Sequence, residues 1–209
     1  MTDITSQEQL RTIYREPGSP ALKKQHATIG EHDRAFLAHS PFVVVATSAA
    51  DGSCDVSPKG GPPGFVTVLD EHTIAIPDLS GNNRLDSMSN VLENAGIGLL
   101  FFVPGLCDTL RVNGRARLST DPAVLDAATV AGARPKVAFV VDVEEVFLHC
   151  QKALRRASIW DPAAWPSLDD LPSAGTMYRD QMGLDMPGEA IDAVLEESYQ
   201  KTLWEPGGQ

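Results

Sequence analysis

Cysteine is scarce in this sequence. Cys54, Cys107 and Cys150 are far apart, odd in number and not in Cys-x-x-Cys spacing, so neither a disulfide framework nor a zinc site is expected. That usage fits a reducing, cytoplasmic compartment. Long apolar runs are also missing: none approaches the roughly 18 residues of a membrane-spanning helix. The N-terminus, MTDITSQEQL, is polar and lacks the apolar core of an export signal, so the chain reads as neither exported nor membrane-inserted. Basic residues are in deficit, with 17 Lys and Arg against 28 Asp and Glu, and a net charge of -11. Such a balance, with no basic run to offset it, repels nucleic acid and anionic lipid. An anionic ligand would need a locally basic pocket, which Lys59, Arg84 and the segment from Arg111 to Arg117 can supply. Internal repeats and low-complexity tracts are absent. So is any Ser-His-Asp, Cys-His or paired-carboxylate arrangement that would demand a protein nucleophile, which leaves the catalytic residues unassigned.

What is present is an ordinary globular composition, 43% hydrophobic and 22% charged over 209 residues, enough for one domain with terminal arms. Ile4, Leu10, Ile13 and Tyr14 form a loose helical stripe before Pro17, Gly18 and Pro20 break it. Glu31 to Ala38 predicts a second helix. His26, His32 and His39 lack the i, i+4 pairing that favours a metal, and surface or core roles suit them better. Phe42 to Ser48 is a buried-strand pattern that turns at Ala50-Asp51-Gly52 into Cys54 to Ser57. Phe65 to Leu69 and Thr73 to Ile76 form another hairpin. Ile97 to Val103 is again a buried strand. Thr109 to Leu118 alternates, with Arg111, Asn113, Arg115 and Arg117 on one face. Asp121 to Ala131 predicts a short helix, Val137 to Val143 and Val146 to Leu148 the last strands, and Gly188 to Leu203 one helix in a Pro-rich tail. Short strands joined by hairpins predict an antiparallel closed barrel rather than a parallel sheet.

The stretch from Cys54 to Asn94 organises the rest. CDVSPKGGPPGFV is an extended segment breaking into a Gly/Pro-rich loop around Lys59, and IAIPDLSGNNRLDSMSNVLEN ends a strand and opens a helix at Asn82, Asn83 and Arg84. The helix is expected to bury Leu85, Met88, Val91, Leu92 and Ala95 and to end at Gly96. A helix N-terminus carries unpaired N–H groups and roughly half a positive charge. Arg84 adds a planar donor fork and Lys59 a compact cation, a combination suited to phosphate. The same residues also fit a plainer role, with Asn83 as an N-cap, Asp86 as its N3 acid and Lys59 as a solvated loop residue.

In order and spacing, the DVSPKGGPPGFV loop, the IAIP strand, the GNNRLDS helix start, GLLFFVPG and TLRVNGRARLSTDP resemble the pyridoxamine 5′-phosphate oxidase-like, FMN-binding split barrels. VEEVFLHCQKAL and IWDP are most similar to a subgroup of uncharacterised FMN-dependent members. The resemblance implies a mainly β fold with flanking α-helices, a six-stranded antiparallel split β-barrel over residues 31–162. A helical arm at residues 1–30 precedes it, and a tail at residues 163–209 with one helix packs on the barrel or the partner. It also implies a homodimer with FMN at the subunit interface. Asp55, Val56, Ser57 and Lys59 would line the flavin ring and ribityl chain, joined by Ile76, Pro77 and Asp78, and Asn82, Asn83 and Arg84 would hold the phosphate. Thr109 and Arg111 would contact the cofactor of the partner subunit, with His149, Lys152 and Arg155 near the flavin.

The chain departs from the vitamin B6 oxidases of that family, which carry Lys where Leu85 stands and a C-terminal Arg-x-His element. Both differences argue against pyridoxamine 5′-phosphate oxidase activity itself. The function implied is FMN-dependent oxidoreduction of a small molecule, with NAD(P)H a candidate electron donor. A deazaflavin reductase and a non-catalytic flavin store or redox sensor remain open at this point.

Overall fold

The computed structural model describes residues 3–207. Met1 and Thr2 of the expected arm, and Gly208 and Gln209 of the expected tail, lie outside the described residues. Three helices lead in: α1 (Gln7–Ile13), α2 (Ser19–Lys23) and α3 (Glu31–His39). Ser6 caps α1 through its hydroxyl, which accepts from the Gln9 amide, but α1 buries none of its residues. Its apolar stripe is too sparse to anchor it.

The strands are β1 (Phe42–Ser48), β2 (Cys54–Gly60), β3 (Thr67–Val68), β4 (Thr73–Pro77), β5 (Gly96–Phe102), β6 (Thr109–Ser119) and β7 (Ala138–His149). They form one antiparallel sheet of seven strands in the order β2-β1-β5-β6-β7-β4-β3. The expected count of six is therefore corrected to seven, and the expected strand from Phe65 to Leu69 shrinks to the two-residue β3. Lys59, on the edge strand β2, reaches Asp78, just past β4 near the opposite edge. The sheet thus curls into a barrel that stays split between those two strands.

One face of each strand fills the interior, with Val43, Val45, Ile74, Ile76, Leu99, Phe101, Val112, Phe139 and Val141 all buried. A smaller apolar layer lies under α5 (Pro122–Ala127), where Leu125 and Ala128 cover Ala75 and Ala138. The two expected strands at the end of the barrel are one, because a bulge replaces the break between them. Asn113 pairs with Glu145 and Gly114 with Val143, leaving Glu144 as the extra residue. Gly114 is needed there, since a Cβ would stand 2.1 Å from the Asp142 carbonyl oxygen.

Helix α4 (Asp86–Glu93) starts two residues later than expected, and its boundary residues differ as well. Leu85 takes a left-handed conformation ahead of it, with φ 59, and Gly96 opens β5 rather than capping the helix. Only Ser87, Met88 and Val91 of α4 are buried; Leu85 and Leu92 are 50% and 76% exposed. Leu85 precedes the helix, and Leu92, next to the buried Val91, falls outside the face that packs on the barrel.

After β7 come α6 (Lys152–Arg156), a single 3-10 turn at Pro162–Ala164, α7 (Ala174–Met182) and α8 (Gly188–Thr202). Helix α7 is additional to the expected tail. Its signals were local: Ser173 caps it by accepting from the Thr176 amide, and Gly183 ends it with φ 62. Helices α7 and α8 pack on one another through Gly175 and Gly188. No described helix is long and apolar enough to cross a membrane.

The segment ahead of α3 is tied to the barrel by His26, whose backbone pairs with Val146 and whose Nε2 lies 2.8 Å from Oδ2 of Asp33. That carboxylate raises the His26 pKa above 6.5, outweighing the opposing effect of partial burial. A raised histidine pKa stabilises the fold fully below the unfolded value and ceases to do so as pH climbs through the folded one. The melting-temperature gap between wild type and His26→Asn should therefore be largest near pH 5.5 and shrink by pH 8.5. A gap that is flat over this range would show the contact to be a neutral hydrogen bond.

Candidate functional site

Strand β2 presents its two faces differently. Asp55, Ser57 and Lys59 are half-buried toward the split of the barrel, while Cys54, Val56, Pro58 and Gly60 are exposed on the outside. The inward face borders a cavity of about 380 Å³, closed on its other sides by Phe65, Pro77, Asp78, the loop Leu79–Leu85, Ser87, Met88, Phe139 and Leu203. This volume lies in the range of small-molecule sites.

The loop ahead of α4 brings an arginine to the cavity. Asn83 and Leu85 both have positive φ, 56 and 59, with Arg84 between them. The Asn82 side chain fixes the turn by accepting from the Arg84 amide at 3.1 Å. Arg84 uses Nε on Asp86 at 2.7 Å, which leaves its two terminal nitrogens without a protein partner among the described residues. The anion-directed groups thus belong to the loop ahead of α4, and neither the N-cap role for Asn83 nor a first-turn place for Arg84 holds.

Lys59 crosses the split to Oδ1 of Asp78 at 3.3 Å, and its ammonium stands 5.0 Å above the Phe139 ring. With 19% and 17% of their side chains exposed, Lys59 and Asp78 are sheltered, unlike an ordinary surface pair. Lys59 is therefore not a solvated loop residue. Each cation at the cavity already faces one acid, so the site is balanced rather than strongly positive.

The cavity wall also carries hydroxyls. Asp55 accepts from Ser57 at 3.2 Å and from Ser87 at 2.9 Å, and the two serine oxygens are 3.0 Å apart. Two hydroxyl protons serve this triangle, and whichever two contacts they fill, both are used within it. The serines then offer the cavity lone pairs, which suit a donor such as a ligand hydroxyl.

The sequence-derived site residues fall into three groups. Asp55, Ser57, Lys59, Pro77, Asp78, Asn82, Asn83 and Arg84 border this cavity or support a residue that does. Ile76 is packed in the barrel core, and the Val56 side chain points to the outer face. Thr109, Arg111, His149 and Lys152 lie elsewhere: Thr109 pairs with His149 at the end of β7 opposite Phe139. There Arg111 and Lys24 both stand 5.3 Å from the Phe147 ring. Burial, then the charges of Arg111 and Lys24, push the His149 pKa down. The Arg155 guanidinium turns to Gln151. Among the described residues no His, Cys, Asp and Glu cluster could hold a metal ion. Ser87, Asp86 and Leu203 were not foreseen. The first two sat inside the GNNRLDS motif, but Leu203 is too remote in sequence to have given any signal.

A family model for pyridoxamine 5′-phosphate oxidase matches residues 29–150. No curated protein matches the chain. Among solved structures, HupZ of Group A Streptococcus is 21% identical over 57% of this chain and 93% of its own, with a TM-score of 0.47. A candidate pyridoxamine 5′-phosphate oxidase of Lactobacillus delbrueckii is 22% identical over 58% of this chain and 95% of its own, at a TM-score of 0.44. A conserved hypothetical protein of Mycobacterium tuberculosis is 14% identical over 69% and 93%, at 0.45. The family match covers more than half of the chain, from Ile29 through the last barrel strand, and by it this chain belongs to the pyridoxamine 5′-phosphate oxidase family.

Proposed function

We propose that this protein binds one FMN per chain and acts as an FMN-dependent oxidoreductase on a small molecule. The observation that supports this best is that Lys59, Arg84 and the loop Asn82–Leu85 line the same cavity as Ser57 and Ser87, whose oxygens offer lone pairs. That combination matches a phosphate joined to a polyol. Bound FMN would supply the redox chemistry. The chain's own residues bind and orient it: Arg84, Asn82, Asn83 and Lys59 at the phosphate, and Ser57 and Ser87, held by Asp55, at the ribityl hydroxyls. Free, unpaired Cys54, Cys107 and Cys150 are in keeping with a reducing cytoplasm.

The functional unit in this reading is a homodimer. Outward residues line up across four strands in register: Val56, Ala46, Gly98 and Asn113, then Pro58, Val44, Leu100 and Arg111, then Gly60, Phe42, Phe102 and Thr109. Val56 and Phe42 are 63% and 39% exposed on this largely apolar face. A second copy packed here would bring Thr109, Arg111, His149 and Lys152 toward the partner's cavity, since they lie at or just past the end of the β6–β7 pair opposite Phe139, away from their own. Arg111 and Arg115 would need anions or acids opposite them, because like charges buried together repel.

Purified protein is expected to be yellow and to carry one FMN per chain by absorbance and mass spectrometry. Colourless protein that takes up no FMN at micromolar concentration would refute the cofactor reading. Reduction of the bound flavin by NADH or NADPH, followed by reoxidation with an acceptor over many turnovers, distinguishes an enzyme from a store.

Arg84→Ala and Lys59→Ala should each weaken FMN binding by about 1.5–3 kcal/mol, the range for hydrogen bonds to charged groups. Titration with riboflavin, which lacks the phosphate, should be nearly indifferent to Arg84→Ala. Equal losses for both ligands would mean that Arg84 shapes the loop without reading phosphate.

Light scattering should give a dimer with and without FMN, and the melting temperature should rise with FMN concentration by mass action. A monomer that binds FMN as tightly would remove Thr109 and Arg111 from the site.

A further inference from the structure

The cavity has a wall supplied by a segment far outside the part of the chain that matches the family. Past α8 the backbone returns to the barrel and runs antiparallel to the residues following β4. The Ser80 amide donates to the Glu205 carbonyl at 2.9 Å and the Gly207 amide to the Asp78 carbonyl at 3.3 Å, with Leu79 and Pro206 facing each other between them. A facing pair flanked in this way exchanges no hydrogen bond of its own. Proline, which has no N–H, therefore sits where none is needed. Leu203, just ahead, borders the cavity.

Gly207 is what lets this strap lie so close. A Cβ there would stand 2.2 Å from Oδ2 of Asp78 and 3.0 Å from the Leu79 carbonyl oxygen. With glycine, Asp78 keeps one carboxylate oxygen beside the strap and the other on Lys59 at 3.3 Å. Asp78, Leu79 and Ser80 lead without a break into Gly81–Arg84, the anion-directed loop. Whatever fixes the first three residues therefore fixes where that loop begins, and whatever displaces Asp78 also frees Lys59.

We propose that Leu203–Gly207 is a working part of the cofactor site, a role that rests on the FMN reading above. Glu205 and Gly207 are positioning residues that hold Asp78–Ser80, and through them the phosphate loop and the Lys59 ammonium. Leu203 closes the side of the cavity. Two backbone hydrogen bonds at the barrel's edge open far more readily than core strands do. Release of the strap thus provides a path for FMN to enter and leave while the barrel stays folded.

The test compares the full chain with a chain ending at Thr202, with Gly207→Ala and with Leu203→Ala. It measures release rates of FMN and of riboflavin, and hydrogen exchange at the Ser80 amide without ligand. Truncation and Gly207→Ala should each speed FMN release about tenfold, the effect expected for one or two lost hydrogen bonds. Gly207→Ala should change riboflavin release much less, so that preference for the phosphorylated flavin falls. Truncation, which also removes Leu203, should speed riboflavin release only as much as Leu203→Ala does. Ser80 should lose protection in both. Leu203→Ala should speed release of both flavins by the same factor and leave Ser80 protected. Unchanged FMN release in both truncated and Gly207→Ala protein would overturn the proposal, and so would a Ser80 amide that is unprotected in the full chain. If the full chain takes up no FMN, it is the cofactor reading that fails. The exchange data then still decide whether the strap is paired: protection in the full chain that is lost on truncation supports it, and protection that survives truncation overturns it.

Discussion

The contact on which the rest of this structure turns is the pair between Lys59 and Asp78 across the split of the barrel. An antiparallel sheet of seven strands with a right-handed twist curls, and its ends must either join edge to edge or be bridged in some other way. Here they do not join: β2 and β4 approach without a hydrogen-bonded ladder, and a side-chain pair spans the gap. Because both partners are largely sheltered and Lys59 also lies over the Phe139 ring, the pair is worth more than a surface ion pair. Removing one partner would leave the other charged and half-buried. The unclosed gap beneath this bridge is the cavity.

Two kinds of chemistry follow from how the strands reach that gap. Strand β2 alternates, so Asp55, Ser57 and Lys59 arrive in a row on the inner face, carboxylate, hydroxyl and ammonium at successive depths. Helix α4 meets the row and adds Ser87, whose hydroxyl contacts Ser57 and Asp55. Between the end of β4 and α4 the backbone takes two left-handed residues, Asn83 and Leu85. Asparagine tolerates that conformation; leucine does so at a cost of order 1 kcal/mol or more. Strain of this kind at the mouth of a cavity is typical of segments shaped for a ligand.

Family membership accounts for the barrel. It does not account for the second, cationic cluster at the far end of β7, where Lys24, Arg111 and His149 surround Phe147. Burial and the charges of Arg111 and Lys24 hold the His149 pKa down there, and Lys24 donates to the Leu148 carbonyl oxygen at 2.7 Å.

Much of this was legible in the sequence. The alternation of Thr109 to Leu118, the β-branched run of Phe42 to Ser48 and the hairpin at Ala50-Asp51-Gly52 fixed the main strands, because a period of two and a glycine turn are local properties. The residue types at the cavity were legible too, since DVSPKGG and GNNRLDS carry their donors and acceptors in the chain itself. Other features needed the tertiary structure. The left-handed Leu85 moved the helix start by two residues and exposed Leu85 and Leu92, which no propensity for leucine would foretell. The bulge at Asn113/Gly114 let one strand run through where polarity suggested two. Lys59 found Asp78, Ser87 found Asp55 and Gly207 found Asp78 only because the barrel curls. Contacts between residues distant in sequence are set by the closing of the sheet, and the spacing of side chains along the chain does not encode them.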